Sequence, residues 1–287
     1  MDIAAVIIVY HPGKSIIENI LSYSTFTKQV YVMDNSESGS PEFTQEINNL
    51  SNCVYINSGE NKGIPERLNQ ASKLAKQAGF SWLLTMDQDS FFTRTNMIAY
   101  QSCFITYPGK NTVAMFGVQF ENPTLLSDTC STEKTDRLIT SGSIVNLDLL
   151  DAIGGFDEKL FIDEADTEYC YKAILKGYDI VQFKNIFLEH NLGKTSYHRS
   201  FKDFSKTPRT IHSPFRLYYM TRNFLYLRSK YEKQLPDSVA KSKQALFNKI
   251  KNNLLYNKNR FQVIKYIVTG FFDYKKNKMG KYGAQNH

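Results

Sequence analysis

The chain has 287 residues, of which 42% are hydrophobic and 22% are charged, and its formal net charge is +7. The apolar fraction excludes a disordered protein, and the 15 Gly and 4 Cys exclude collagen-like and disulfide-scaffold classes. The longest apolar runs are far below the roughly 20 residues of a membrane-spanning helix, and the first residues do not resemble a secretory signal. The cysteines lack metal-site spacing, so we expect reduced, packed thiols in a cytoplasmic protein at Cys53, Cys103, Cys130 and Cys170.

Charge is divided unevenly along the chain. Beyond residue 200 there are 19 Lys and Arg against 4 acidic residues, whereas residues 1–200 hold 16 basic and 24 acidic residues. The pattern predicts an acidic body with a basic attachment whose partner is anionic, such as phospholipid head groups, a pyrophosphate-bearing molecule or nucleic acid. We therefore place a soft domain boundary near Ser200, which divides the chain into 1–200 and 201–287.

The first half alternates short β-branched apolar runs with amphipathic stretches. Strands are predicted at Ile3–Tyr10, Gln29–Met33, Cys53–Asn57 and Trp82–Met86. Helices are predicted at Ser15–Tyr23 and Glu66–Ala78, the second of them closed by Gly79. Because strands and helices alternate, we expect a mostly parallel α/β sheet with helices on both faces.

The second half is less regular. Strands are predicted at Thr112–Phe120, Leu138–Asn146 and Ile180–Glu189, and a helix at Asp163–Lys176 with Asp163 as its N-cap. From Arg216 onward the sequence is typical of long helices rich in Tyr, Phe and Lys, including Lys241–Leu255 and Asn259–Phe272.

Acidic and amide side chains follow three of the early strands, at Asp34-Asn35, at Asn61 to Gly63, and at Asp87 to Asp89. Ligands of open α/β sheets bind at the carboxyl ends of the strands. One such Asp alone is most simply a turn or cap residue, but three at one edge indicate a binding site. Asp87 and Asp89, two residues apart at a strand end, could converge on one divalent cation, Mg²⁺ or Mn²⁺.

A second acidic cluster surrounds Asp163 and Asp166 at the start of the predicted helix. Capping explains Asp163, but Asp has poor propensity inside a helix, and a role as general base would explain Asp166. His190 follows an apolar strand, where a lone His is more often structural than a ligand. Basic side chains that could meet a diphosphate follow at Lys194, Arg216 and Arg222.

As an ordered set, the motifs of the chain resemble those of family 2 glycosyltransferases of the GT-A fold. The matching runs are VIIVYHP, MDNSES, ENKGIPERLN, WLLTMDQDS, TSGSIVNLDLLDAIGGFDEKLFIDEADTEYCYKA and LEHNLGK. The segments DQDS, FIDEADTEYC and RLYYMTRN are further similar to bacterial rhamnosyltransferases of surface-polysaccharide assembly. The resemblance covers about residues 3–226 and leaves the last ~60 residues unmatched.

The resemblance implies a Rossmann-like GT-A domain followed by a basic helical region. It also implies inverting, metal-dependent transfer of a sugar, usually L-rhamnose from dTDP-β-L-rhamnose, to a lipid-linked glycan acceptor. Asp166 matches the catalytic base, and Asp87, Asp89 and His190 match ligands of a divalent cation, Mn²⁺ or Mg²⁺. The positions matching the nucleotide-sugar site are Tyr10, Pro12, Asp34, Asn61, Gly63, Arg67, Asp87, Ser141 and Gly142.

Two of these positions carry more specific implications. Asp34 matches the carboxylate that accepts a hydrogen bond from the pyrimidine imide of the nucleotide. Arg67 stands where relatives usually have a small residue, so the environment of the nucleotide or phosphate is expected to differ there.

Alternatives remain open at the level of sequence. The donor could be UDP-galactofuranose or another UDP-hexose, because a carboxylate that reads the imide does not separate thymine from uracil. A non-enzymatic alternative is a basic nucleic-acid-binding protein, although no helix-turn-helix, zinc-finger or RNP signature is present. The basic region could attach to an anionic membrane or form a helical cap.

Among these alternatives we expect a cytoplasmic enzyme that is peripheral on the inner face of the cell membrane and has no nucleic-acid partner. The acceptor, the linkage, the preferred ion and the oligomeric state stay open.

Overall fold

The computed structural model describes residues 2–13, 15–120, 129–190, 196–199, 206–209 and 211–283, and only the backbone of 190, 196–199 and 206–209. The chain divides into two compact units. Unit 1 comprises Met1–Glu158 and Ala165–Asn191, and unit 2 comprises Lys159–Glu164 and Leu192–His287. Ser200, where the sequence predicts a boundary, lies outside the described residues.

Unit 1 is built on a mixed sheet. Its described strands are β1 (Ala4–Val9), β2 (Gln29–Asp34), β3 (Cys53–Asn57), β4 (Trp82–Asp87), β5 (Ser90–Phe91), β6 (Val113–Gln119), β7 (Thr132–Lys134), β8 (Ser143–Asn146), β9 (Asp179–Phe187) and β10 (Glu189–His190). Eight of these described strands form one sheet in the order β3-β2-β1-β4-β8-β6-β9-β7, and β5 pairs with β10. Strands β8 and β7 run antiparallel to their neighbours, while the other pairs in the large sheet are parallel.

Helices cover both faces of this sheet. They are α1 (Ile16–Ser24), α2 (Pro41–Asn48), α3 (Ile64–Gln77), α4 (Arg94–Thr106), α5 (Leu147–Ile153) and α6 (Ala165–Leu175). Alternate residues of β1 face opposite ways, so Ile7 packs into the core shared with α1, α2 and α4, and Val6 into the core shared with α3, α5 and α6. Both residues are fully buried. The predicted α/β sheet with two covered faces is confirmed.

Three local predictions are corrected. The predicted strand Leu138–Asn146 shortens to β8, since Gly142 has φ +72° and the extended conformation begins only after it. The helix predicted from Asp163 begins at Ala165, because Asp163 and Glu164 have φ values of +62° and +66° and so lie in the left-handed region. Asp163 is therefore not the N-cap.

The prediction of four reduced cysteines is also partly corrected. Cys103 on α4 and Cys130, just before β7, form a disulfide bond rather than two reduced thiols. Cys53 and Cys170 are free, as expected. Burial raises the pKa of Cys53 to about 11 and that of Cys170 to about 12, so both thiols stay protonated at neutral pH.

Unit 2 is mostly helical. After the antiparallel pair β11 (Ser196–Arg199) and β12 (Lys206–Arg209) come α7 (Pro214–Tyr231), α8 (Pro236–Tyr256) and α9 (Arg260–Lys275). The predicted C-terminal helices are confirmed and extended. Helices α7 and α9 approach closely at Gly270, where a Cβ atom would lie 2.7 Å from the carbonyl oxygen of Tyr218. None of the described helices is long and apolar enough to cross a bilayer.

Candidate active site

The register of the central strands gathers the predicted acidic residues at one edge of the sheet. Val9 of β1 pairs with Asp34 of β2, and Ile8 of β1 pairs with Asp87 of β4. Both pairs are parallel, so the carboxyl ends of the three strands lie side by side. Asp34 and Asp87 therefore flank the loop that begins at Tyr10.

Hydrogen bonds connect the loops at this edge. The amide of Tyr10 donates to Oε1 of Gln88 at 2.8 Å, and the amide of His11 donates to Oγ of Ser36 at 2.7 Å. The loop after β1, which carries Tyr10 and Pro12, is thus tied to the loop after β4 on one side and to the loop after β2 on the other. Tyr10 itself is exposed at 43% and can contact a ligand.

A third loop joins the edge at Ser141 and Gly142. The amide of Asp87 donates to Oγ of Ser141 at 3.2 Å, and that hydroxyl donates to Oγ of Ser90 at 2.9 Å. Gly142 donates its amide to the carbonyl of Thr85 at 2.8 Å. A side chain could not be added at Gly142 without crowding, as its Cβ would lie 2.9 Å from Leu188.

Asp34 is fully buried, and protein groups already occupy both carboxylate oxygens. Oδ1 accepts from the amide of Ser36 at 2.7 Å, and Oδ2 accepts from the hydroxyl of Tyr55 at 2.6 Å. Burial, reinforced by this hydrogen bond, raises the pKa of Tyr55 to about 12, so its hydroxyl remains a donor at neutral pH. A pyrimidine imide reaching Asp34 would share an oxygen with Tyr55 or displace its hydroxyl.

The predicted metal ligands converge only in part within the described structure. Asp87 ends β4 and the half-buried Asp89 follows in the next turn. In the β5–β10 ladder His190 pairs with Ser90, so the backbone of His190 lies opposite the residue after Asp89. The side chain of His190 lies outside the described residues, and among the described side chains no three His, Cys, Asp or Glu cluster as a metal site.

The donor chemistry of these residues nevertheless fits a hard divalent cation. Two carboxylates at one strand end supply the oxygen ligands that Mg²⁺ and Mn²⁺ prefer, and imidazole is a common further ligand. Asp87, Asp89 and His190 could hold such an ion.

Asp166 lies in the first turn of α6, where its Oδ1 accepts from the amide of Thr167 at 2.7 Å. Strand β9 runs parallel to β6, and β8 is antiparallel to both β6 and β4, so β9 points the same way as β4. Helix α6 packs on β9 and joins it through a short turn, so it runs opposite to β9. The start of α6, with Asp166, therefore faces the edge that carries Asp87.

Comparisons with known proteins bear on this arrangement. No family model matches the chain. The dTDP-rhamnosyl transferase RfbF of Shigella flexneri is 26% identical over 253 residues, covering 80% of this chain and 81% of RfbF. S. aureus TarS 1–349 in complex with UDP-GlcNAc superposes with a TM-score of 0.52 and 14% identity, covering 98% of this chain and 93% of TarS 1–349.

GalNAc-T7 with UDP, GalNAc and Mn²⁺ superposes with a TM-score of 0.59 and 10% identity, covering 96% of this chain and 56% of that protein. The chain spans 44% of the longer TarS structure that it also matches. These structural neighbours have the GT-A fold. The chain is a glycosyltransferase of the GT-A fold. The nucleic-acid-binding alternative is therefore not retained.

In this glycosyltransferase the predicted ligand-binding role of Arg67 is corrected. Its side chain is fully buried in α3, and burial lowers its pKa. Its guanidinium donates to protein acceptors at 2.6 to 3.3 Å: Asn35 Oδ1, Gln70 Oε1, Ser58 Oγ and the carbonyls of Asp34 and Glu60. Arg67 thus holds the loops after β2 and β3 in place through hydrogen bonds and does not contact a ligand.

The neighbouring glycine loop is fixed in a similar way. Oδ1 of Asn61 accepts from the amide of Gly63 at 3.0 Å, and the side chain of Asn35 donates to the carbonyl of Gly63 at 3.2 Å. Gly63 has φ +82°, which a residue with a side chain adopts rarely. This loop leads directly into α3.

The basic residues predicted to meet a diphosphate have other partners or cannot be placed. In unit 2, Arg216 binds the carboxylate of Asp163, with its Nη2 atom 2.9 Å from Oδ1. Arg222 is fully buried, where it donates to the carbonyl of Gly280 at 2.8 Å and lies over the ring of Tyr219. The predicted diphosphate contact of Arg222 is therefore wrong. Lys194 lies outside the described residues.

Two residues that shape the site are not among those predicted from the sequence. Tyr55 binds Asp34, and the side chain of Gln88 holds Tyr10. The alternation of side chains along β3 places Tyr55 toward α2, but no sequence motif indicates its bond to Asp34. Gln88 lies between Asp87 and Asp89, and the metal-binding interpretation of this motif gives a role only to the two carboxylates.

Proposed function

We propose that this glycosyltransferase moves L-rhamnose from dTDP-β-L-rhamnose to a lipid-linked glycan acceptor of bacterial surface-polysaccharide synthesis, with inversion at the anomeric carbon. The similarity to dTDP-rhamnosyl transferase RfbF supports the choice of donor. The observation that carries the site is the shared strand edge, where Val9 pairs with Asp34 and Ile8 with Asp87.

In the proposed reaction the acceptor hydroxyl oxygen attacks the anomeric carbon from the face opposite the nucleotide. The new carbon–oxygen bond forms as the bond to the diphosphate breaks, and the diphosphate leaves with the electron pair. Asp166 accepts the proton of the acceptor hydroxyl. Its place in the first turn of α6 suits this role, because the positive end of a helix favours a negatively charged carboxylate.

A divalent cation, when bound, would offset the negative charge that develops on the leaving diphosphate. The residues proposed to hold it are Asp87, Asp89 and His190. GalNAc-T7, a structural neighbour, was solved with Mn²⁺, which supports Mn²⁺ or Mg²⁺ as the ion.

The remaining edge residues are proposed to bind the nucleotide-sugar. Asp34 would accept from the pyrimidine imide in competition with the hydroxyl of Tyr55. Loops with fixed backbones, rather than long charged side chains, would line the rest of the nucleotide and sugar site: Tyr10, Pro12, Asn61, Gly63, Ser141 and Gly142.

The proposed acceptor implies a location for the enzyme. A lipid-linked glycan lies at a membrane, so we place the enzyme on the inner face of the cell membrane, attached through its basic C-terminal region. The sequence beyond residue 200 has 19 basic and 4 acidic residues, which supports attraction to anionic lipid.

A UDP-sugar donor is the second candidate, since TarS 1–349 was solved with UDP-GlcNAc. A donor-turnover screen separates the two. The purified chain is incubated with dTDP-β-L-rhamnose, UDP-galactofuranose, UDP-glucose and UDP-GlcNAc in Mg²⁺ or Mn²⁺, and nucleotide release is measured.

The proposal expects dTDP-β-L-rhamnose to be turned over fastest, and it expects excess EDTA to abolish release. Faster turnover of a UDP-sugar would move the donor to the second candidate. A full rate in EDTA would show that the site works without a metal.

A further inference from the structure

Helix α9 exposes an apolar face to solvent. The exposed fractions are 90% for Phe261, 50% for Ile264, 45% for Val268, 42% for Phe271 and 53% for Phe272. At 100° per residue these five positions fall within about 100° of the helix circumference. They form one continuous stripe, which we call the α9 stripe.

The opposite face of α9 packs against α7. Val263 is buried beside Leu217 and Met220 of α7, and Gly270 brings the two helices close together. Because Val263 and Gly270 lie across the helix from the α9 stripe, the stripe cannot also turn toward α7. Contiguous exposed apolar surface of this kind marks an interaction site.

Positive charge borders the α9 stripe. Lys265 and Lys275 flank it along α9, and the ammonium of Lys275 lies 5.8 Å from the ring centre of Phe271. Residues 211–283, which contain the stripe, hold 16 basic and 3 acidic residues, so this part of the chain is strongly basic. An apolar face bordered by lysines matches the requirements of an anionic lipid surface.

We propose that the α9 stripe is the membrane-docking surface of this enzyme and that α9 lies in the plane of the bilayer, with Phe261, Phe271 and Phe272 in the acyl-chain boundary. The partner is an anionic phospholipid bilayer. A second copy of this chain is a poorer occupant, because its own stripe is bordered by the same positive charge and the two surfaces would repel. This inference rests on the membrane location in the proposed function, and it assigns that location to one helix face.

Co-sedimentation with vesicles tests the proposal directly. The full chain is mixed with phosphatidylcholine vesicles with and without phosphatidylglycerol, and the bound fraction gives a partition coefficient. The double variant Phe261→Ser/Phe272→Ser is expected to bind anionic vesicles at least about tenfold more weakly, because two aromatic rings no longer enter the interface. Ile98→Ser is the matched control, since Ile98 is 50% exposed on α4 in unit 1 and should leave binding unchanged.

A second pair of variants tests the charge. Lys265→Glu/Lys275→Glu should remove the preference for vesicles with phosphatidylglycerol, while Lys73→Glu on α3 should keep it. Thermal unfolding of each variant checks that the fold is retained.

Equal binding by the wild type and the Phe261→Ser/Phe272→Ser variant would overturn the proposal. So would a wild-type dimer that these substitutions dissociate in the absence of any vesicle binding, because the occupant would then be a second copy. Donor turnover in solution distinguishes this failure from failure of the proposed function, since the α9 variants should turn over donor at the wild-type rate.

Discussion

Arg67 is a buried cation that joins the loops after β2 and β3. Its donors are satisfied by carbonyl, amide and hydroxyl oxygens of Asp34 and Asn35, of the loop after β3 and of α3. A buried cation is tolerated only when its donors are satisfied in this way. Removing it breaks the hydrogen bonds that tie the buried Asp34 and Asn35 to the loop after β3 and to α3.

We therefore expect Arg67→Met to lower the free energy of unfolding by about 3 kcal/mol. The measurement is urea unfolding followed by circular dichroism. The matched control is Lys73→Met on the same helix, where the side chain is exposed, and we expect a change below about 0.5 kcal/mol. Equal effects of the two substitutions would contradict the role given to Arg67.

His212, just before α7, is a half-buried residue whose charge responds to pH. Burial, followed by the nearby charges of Arg216 and Lys249, lowers its pKa from 6.5 to about 4. Its amide donates to Asn253 at 3.1 Å, which holds it against α8. In the unfolded chain His212 takes up a proton below about pH 6.5, whereas in the folded chain it does so only near pH 4.

Since the unfolded state binds more protons in this window, His212 lowers stability as the pH falls from about 6.5 to 4 and has no effect above it. We expect the free energy of unfolding of His212→Gln to fall by roughly 2 kcal/mol less than that of the wild type over this pH range. This figure allows for partial solvent screening. Unfolding free energies of wild type and variant at pH 7.5 and pH 4.5 provide the comparison. An identical pH dependence would show that the environment of His212 does not keep its imidazole neutral in the folded chain.

At the scale of elements, Gly142 sets the turn that brings Ser141 to Asp87. It has φ +72°, and a Cβ there would lie 2.9 Å from Leu188 and 3.0 Å from Val118. We expect Gly142→Ala to destabilise the fold by about 3 kcal/mol, from backbone strain and crowding together. Gly109→Ala is the control, because Gly109 has φ +68° but open space around it, and it should cost only about 1 kcal/mol.

Thermal unfolding of the two variants separates the contributions of strain and crowding. If the Gly142→Ala and Gly109→Ala variants were equally stable, Leu188 would not crowd a Cβ atom at position 142.

The elements best predicted from the sequence are the first four strands. Strands β1 to β4 are runs of apolar, β-branched residues ended by polar turn residues, so their bounds agree with the structure to within about two residues. Helix α4 could not be recognised in the same way. Its buried residues Met97, Tyr100 and Phe104 alternate with the exposed apolar residues Ile98 and Ile105, which obscures the amphipathic period.

Some failures arise from contacts between residues far apart in the chain. The pairing of Cys103 with Cys130 depends on how α4 and the segment before β7 come together, and a spacing of 27 residues does not reveal it. The positive φ values of Asp163 and Glu164 lie in a segment of unit 2 that Asn223 holds, because its side chain donates to the carbonyls of Leu160, Ile162 and Asp163. Local sequence cannot show either contact.

At the scale of the whole molecule, the sheet order explains why the candidate site could be predicted in outline. Residues that end parallel strands must share an edge, so motifs after β2 and β4 predict a common site without any knowledge of packing. The sequence could not separate ligand-facing from buried polar residues, as Arg67 and Arg222 illustrate. The sequence shows the charge of each side chain, but only the tertiary structure shows which charged side chains are buried.

The most direct test compares two substitutions of the same kind, Asp166→Asn and Asp148→Asn. Both residues lie in the first turn of a helix, on α6 and α5, and Asp148 is exposed away from the strand ends that carry the acidic motifs. Sugar transfer and donor binding are measured separately for each variant. We expect Asp166→Asn to lower the transfer rate by about 10³-fold with donor affinity changed only a few fold, and Asp148→Asn to transfer at the wild-type rate. Transfer by Asp166→Asn at the wild-type rate would contradict the account.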